Sequence, residues 1–120
     1  MIDFTKINQL KHQLDQQRPL PSAAVKNLRE VFRVDFTYNS NAIEGNTLTL
    51  AETKLVIEEG LTIGGKQLRE HFEAINHSEA ITYVEELVDN KAELSEKAIK
   101  DIHYLILKNI DNNNSGRYRT

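Results

Sequence analysis

Ser40 and Glu44 stand four residues apart in the run Ser40-Asn41-Ala42-Ile43-Glu44-Gly45. On a helix this spacing puts a hydroxyl and a carboxylate on one face. Gly45 suits the left-handed position that ends helices, so Glu44 falls at a helix C-terminus. The partial negative charge of the last carbonyls disfavours a carboxylate there unless a cation meets it. Arg29 and Arg33 share its helix but point differently or sit several turns away, while Lys66 and Arg69 stay open as intrachain partners. From spacing alone, an exposed helix-end glutamate is the simpler reading.

Other chemistry-bearing residues form no recognisable site. Of the four histidines His12, His71, His77 and His103, only His71 and His77 share a predicted helix. They are six apart, which is neither of the spacings that align two ligands on one face, and the H-E-x-x-H zinc pattern is absent. The histidines therefore read as surface or packing residues, and no metal site is expected. Ser40 and Ser78 lack the flanking glycines of a nucleophile elbow. Gly60, Gly64 and Gly65 match neither phosphate-loop nor dinucleotide spacing.

The chain has 120 residues, enough for one domain at most. With 18 acidic against 15 basic residues its net charge is -3, which argues against a module held to nucleic acid by phosphate contacts. No cysteine occurs, so disulfides, thiolate metal sites and cysteine nucleophiles are excluded. No stretch approaches the roughly 20 apolar residues of a membrane helix, and the N-terminus lacks the order of a signal peptide. The expectation is a soluble, cytoplasmic protein without membrane contact. Its mean hydropathy of -0.52 implies a thin core that a partner or further chain would help.

The elements that must position these residues read as helices. Phe4, Ile7, Leu10 and Leu14 mark one face of a first helix from Phe4 to Gln17, which Pro19 and Pro21 end. Ser22 caps a second helix reaching Ile43, with Val25, Leu28, Phe32 and Phe36 expected on its buried side. Thr49 and Glu52 form a capping box for a third helix that stops at Gly60, with Leu55 and Val56 facing inward. A connector hinged at Gly64-Gly65 leads to a helix over 67–88, with Leu68, Phe72, Ile75 and Val84 on its apolar side. Ser95 caps a last helix to Ile110. Asp111 to Gly116 is a turn-rich loop, and Arg117-Tyr118-Arg119-Thr120 looks like the opening of a strand. A chain that stops as a strand begins is expected to be part of a longer fold.

Tyr38 to Leu48 resembles the inhibitory helix of Fic (fido-domain) proteins, whose motif is S/T-x-x-x-E-G/N. The likeness continues through Thr49 to Gly60, Gly64-Gly65-Lys66, and Glu73, Asn76 and Ala80. It resumes at Leu94-Ser95 and Ile102-His103 and ends in Gly116 to Thr120, so it covers about residues 20–120. It implies an all-α fold, here an incomplete Fic-like helical bundle of about five helices with the start of a β-hairpin flap. Residues 1–48 would be N-terminal helices including the inhibitory one, and 49–120 the first portion of the core.

The resemblance also implies protein adenylyltransferase activity, the transfer of AMP from ATP with Mg2+ to a hydroxyl of a target protein. The family's H-P-F-x-x-G-N-G-R-x-x-R motif, whose His is the general base, does not occur in this sequence. No residue here is assigned as catalytic, and the chain alone is expected to hold neither ATP nor Mg2+. What carries over is regulatory. Glu44 would pair with the last arginine of that motif and occupy the place of the ATP γ-phosphate, a bidentate, charge-assisted block. Ser40 would support it from one turn earlier, and Gly45 completes the motif. Arg117, Tyr118, Arg119 and Thr120 would belong to the flap that docks a target by strand addition. The implied partners are that target, a catalytic Fic segment or a second copy of the chain. The alternative is a stand-alone inhibitory protein resembling the antitoxins that hold some Fic enzymes inactive.

Overall fold

A computed structural model describes residues 3–118 as five helices. They are α1 (Thr5–Gln16), α2 (Ser22–Ile43), α3 (Leu50–Glu59), α4 (Leu68–Asp89) and α5 (Glu96–Leu107). The all-α expectation holds, and the boundaries follow local chemistry. Thr49 Oγ1 accepts from the Glu52 N–H at 3.1 Å while the Glu52 carboxylate accepts from the Thr49 N–H at 2.9 Å, which is the predicted capping box. Gly60 ends α3 in the left-handed region, and Ser95 Oγ caps α5 by accepting from the Ala98 N–H. No helix among the described residues is long and apolar enough to cross a membrane.

The chain separates into two compact units, Met1–Glu30 and Val31–Thr120. In the first, Asp3 accepts from the Thr5 N–H at the start of α1. The apolar stripe predicted for α1 exists, but Phe4, Ile7, Leu10 and Leu14 are all exposed, and α1 buries no residue.

In the second unit α4 packs against α3 and α5. Its core is Leu48, Val56 and Ala74, flanked by Ile57, Ile63 and Ile75. Asn76 is buried on α4 and donates to the carbonyls of Ile106 and Lys108, at 3.1 and 2.7 Å. These carbonyls at the end of α5 lack helical partners, so Asn76 helps fix the end of α5 at Leu107, three residues before the predicted Ile110.

Two expectations are corrected here, and a third is not shown. The inward side of α2 is not the predicted aromatic stripe: Phe32 and Leu28 are each 60% exposed and Phe36 is 45% exposed, whereas Val34 and Thr37 are buried. Periodicity locates a stripe without saying what covers it. On α3 and α4, Leu55, Leu68 and Val84 are likewise exposed. Finally, Arg117 and Tyr118 take no strand conformation, and no strand forms among the described residues. The other two residues of the expected flap, Arg119 and Thr120, lie outside the described residues.

Candidate regulatory site at the end of α2

α2 ends in a Schellman motif. The Asn46 N–H donates to the Asn41 carbonyl at 2.9 Å and the Gly45 N–H to the Ala42 carbonyl at 3.1 Å. Gly45 has φ +98°, a conformation that needs glycine, so the expectation from the sequence holds. Glu44 is the last residue before this turn and is exposed. Ser40, one turn earlier, is half-buried. Among the described residues Glu44 forms no ion pair and no side-chain hydrogen bond, and the amide nitrogen of Asn41 beside it is buried without a partner.

Two of the cations offered by the sequence, Arg33 and Lys66, are otherwise engaged. Arg33 donates to the Ser78 carbonyl at 2.7 Å and the Thr82 hydroxyl at 2.8 Å, and pairs with Glu85 at 3.3 Å. Lys66 donates to the Thr47 carbonyl at 2.9 Å and lies 4.0 Å from Glu52. Arg69 makes no ion pair among the described residues.

The segment that follows Glu44 is clamped to the start of α4. Glu70 is buried, and its carboxylate accepts from the Thr47 N–H at 2.7 Å, the Thr47 hydroxyl at 2.6 Å and the Gln67 N–H at 3.1 Å. The Thr47 bonds, hydroxyl first, hold the Glu70 carboxyl below the usual carboxylate range against the opposing effect of burial. Asn46 donates to the Glu70 carbonyl and the Glu73 carboxylate, and its own amide oxygen receives the Leu48 N–H. The sequence reading missed Glu70. The only signal pointing to it was its place three residues after Gln67, at the start of a helix.

His71 and His77 pack within the fold. His71 is buried, accepting from the Ile63 N–H at 2.8 Å through Nε2 and donating from Nδ1 to the Gln67 carbonyl at 2.9 Å. The connector expected to hinge at Gly64-Gly65 is thereby fastened at Ile63. His77 meets the buried Thr37 hydroxyl at 2.8 Å and lies against the Phe36 ring, centroids 4.9 Å apart; burial lowers its pKa. These aromatics and Ile81, Val84 and Ile106 line an apolar cleft of about 410 Å³.

The residues present do not fit a magnesium-nucleotide site. Among the described residues no three His, Asp or Glu side chains gather closely enough to hold a metal ion. Glu44 offers only acceptors where phosphate needs donors, and Ser40 adds a single hydroxyl donor. No step of nucleotide transfer is assigned to them.

No family model matches the chain. Similarity to individual proteins is extensive. The chain is 30% identical over 122 residues to "Protein adenylyltransferase Fic" of Nematostella vectensis, covering 99% of this chain and 29% of that protein. It is 37% identical over 95 residues to "Protein adenylyltransferase fic-1" of Caenorhabditis elegans, covering 78% of this chain and 18% of that one. A crystal structure of a Fic domain containing signaling protein from Bacteroides thetaiotaomicron superposes with a TM-score of 0.87 at 31% identity, over 97% of this chain and 44% of that one. The solved Fic-1 of C. elegans gives 0.84 at 31% identity, over 96% and 34%. The chain thus spans less than a third of these curated relatives' length.

Proposed function

This chain belongs to the Fic family, and on that premise we propose that it is the regulatory, helical part of a protein adenylyltransferase, with Glu44 as its autoinhibitory carboxylate. One observation carries the reading: Glu44 is exposed and without an ion-pair partner among the described residues, on a helix end fixed by a Schellman turn. A carboxylate there is unfavourable against the helix dipole and gains nothing from this chain. An arginine of a catalytic Fic segment would relieve it, and the resulting bidentate pair would stand where the ATP γ-phosphate belongs. Ser40 supports Glu44 from one turn earlier, and Arg117 with Tyr118 leads toward a flap that docks the target protein. ATP and Mg2+ belong to the catalytic segment.

The test uses the intact Fic protein that contains this chain, supplied with ATP labelled in its AMP moiety. Glu44→Gly frees the arginine and is expected to raise AMP transfer severalfold, with the 120-residue chain alone transferring none. Unchanged transfer in the Glu44→Gly protein removes Glu44 from the regulatory role. Label transferred by the short chain itself overturns its assignment as a regulatory part.

A further inference from the structure

The loop after α5 is drawn onto that helix more closely than a connection requires. Gly116 has φ +70°, and a Cβ built there would stand 3.3 Å from Tyr104 Cβ and 3.5 Å from the Lys100 carbonyl oxygen. Its N–H donates to His103 Nδ1 at 3.0 Å. This approach lays Arg117 and Tyr118 beside α5, with Lys100 Nζ 4.8 Å from the centre of the Tyr118 ring.

The result is a cavity of about 190 Å³ lined by Ile99, Lys100, His103, Arg117 and Tyr118. Because His103 Nδ1 accepts a backbone N–H, the ring proton is on Nε2, which leaves that nitrogen as the donor of the ring. Neither Lys100 nor Arg117 forms an ion pair among the described residues. No carboxylate lines the cavity; the nearby Glu96 raises the Tyr118 pKa above the ordinary tyrosine value. A chain of net charge -3 thus gathers two unneutralised cations and an imidazole N–H donor in one concavity.

We propose that this cavity between α5 and the loop 109–118 binds a phosphoryl group. Two fixed positive charges match a phosphate dianion better than a single carboxylate, and guanidinium, ammonium and imidazole N–H groups supply the donors its oxygens need. The inference is independent of Glu44, which takes no part in this cavity.

The experiment is a titration of the isotopically labelled 120-residue chain at pH 7 and low salt, followed by the NMR signals of the His103 ring and the Gly116 amide. Inorganic phosphate probes the shared chemistry, and O-phosphoserine distinguishes a phosphorylated side chain from the free ion as the physiological source. Saturable shifts at both signals are expected, stronger for whichever source is native. Arg117→Gln, which breaks no side-chain hydrogen bond or ion pair among the described residues, is expected to weaken binding about tenfold, the worth of one charge-assisted hydrogen bond. Lys97→Gln removes the same charge from the same helix outside the cavity and is expected to leave binding unchanged. Absence of saturation with either probe overturns the proposal, as does an equal loss in the two variants, which would reduce the effect to diffuse charge.

Discussion

Glu70, buried at the start of α4, receives both the backbone N–H and the hydroxyl of Thr47, 23 positions earlier in the chain. One carboxylate thus satisfies two donors of the segment that leaves α2 and a third at the head of its own helix, the Gln67 N–H. A buried charge is tolerated here because its lone pairs are filled by donors held in place by the backbone.

Glu70→Gln keeps the shape but loses the charge, and one of its two terminal atoms becomes a donor facing a donor. Hydrogen bonds to charged groups contribute about 1.5–3 kcal/mol each, so we expect a loss of about 2 kcal/mol in urea denaturation. A change below about 0.5 kcal/mol would show that the Thr47 bonds do not support the fold.

Stability is expected to fall with acid in two windows. The His77 pKa is lowered by burial, so the unfolded chain binds this proton more readily, and stability declines as pH drops below about 6.5 toward the lowered value. The Glu70 pKa is also lowered, by its Thr47 bonds. Its contribution is complete above about 4.3, the ordinary glutamate value, and is lost as pH falls from there through the folded value. Denaturation midpoints measured from pH 8 to 3 check both. His77→Phe should flatten the upper window only.

Glu44→Gln in the isolated chain is expected to be neutral or stabilising by a few tenths of a kcal/mol, since it removes an unpaired charge at a helix C-terminus. A loss above about 1 kcal/mol would reveal an intrachain partner that the folded structure does not show.

Gly116→Ala and Gly45→Ala separate two costs of replacing glycine. At Gly45 a Cβ meets nothing within 4 Å, so only the positive φ is strained and about 1 kcal/mol is expected. At Gly116 the same strain adds to the contact with Tyr104, and the loss should be larger. Thermal melts of the two variants compare them directly, and a larger loss for Gly45→Ala than for Gly116→Ala would contradict the close approach.

Asn76→Ala leaves the Ile106 and Lys108 carbonyls without their donor in a buried setting. A loss of about 2–3 kcal/mol is expected, together with faster amide exchange in the last turn of α5.

What the sequence revealed is what neighbours within a few residues decide. The Thr49–Glu52 box, the Ser95 cap and the glycines at 45 and 60 each depend on a side chain and a backbone group within one turn. Burial depends on partners far along the chain, which is why Phe32 read as core and stands exposed while Thr37 is fully buried against His77. The buried bonds of Glu70 and Asn76 were not legible because their partners lie 23 and 30 or more positions away. At the candidate site the run from Ser40 to Gly45 was legible. The anchoring of Asn46 and Thr47 behind it was not.

That anchoring makes the turn at Gly45 a fulcrum. Asn46, Thr47 and Leu48 are fastened to the head of α4, so the chain has no slack on that side from which to reel Glu44 in or out. Upstream, α2 is tied to α4 by Arg33, which donates to the Ser78 carbonyl, and by Thr37, which meets His77. Glu44 thus stands on a corner braced against α4 on both sides, by Arg33 and Thr37 before it and by Asn46 and Thr47 after it.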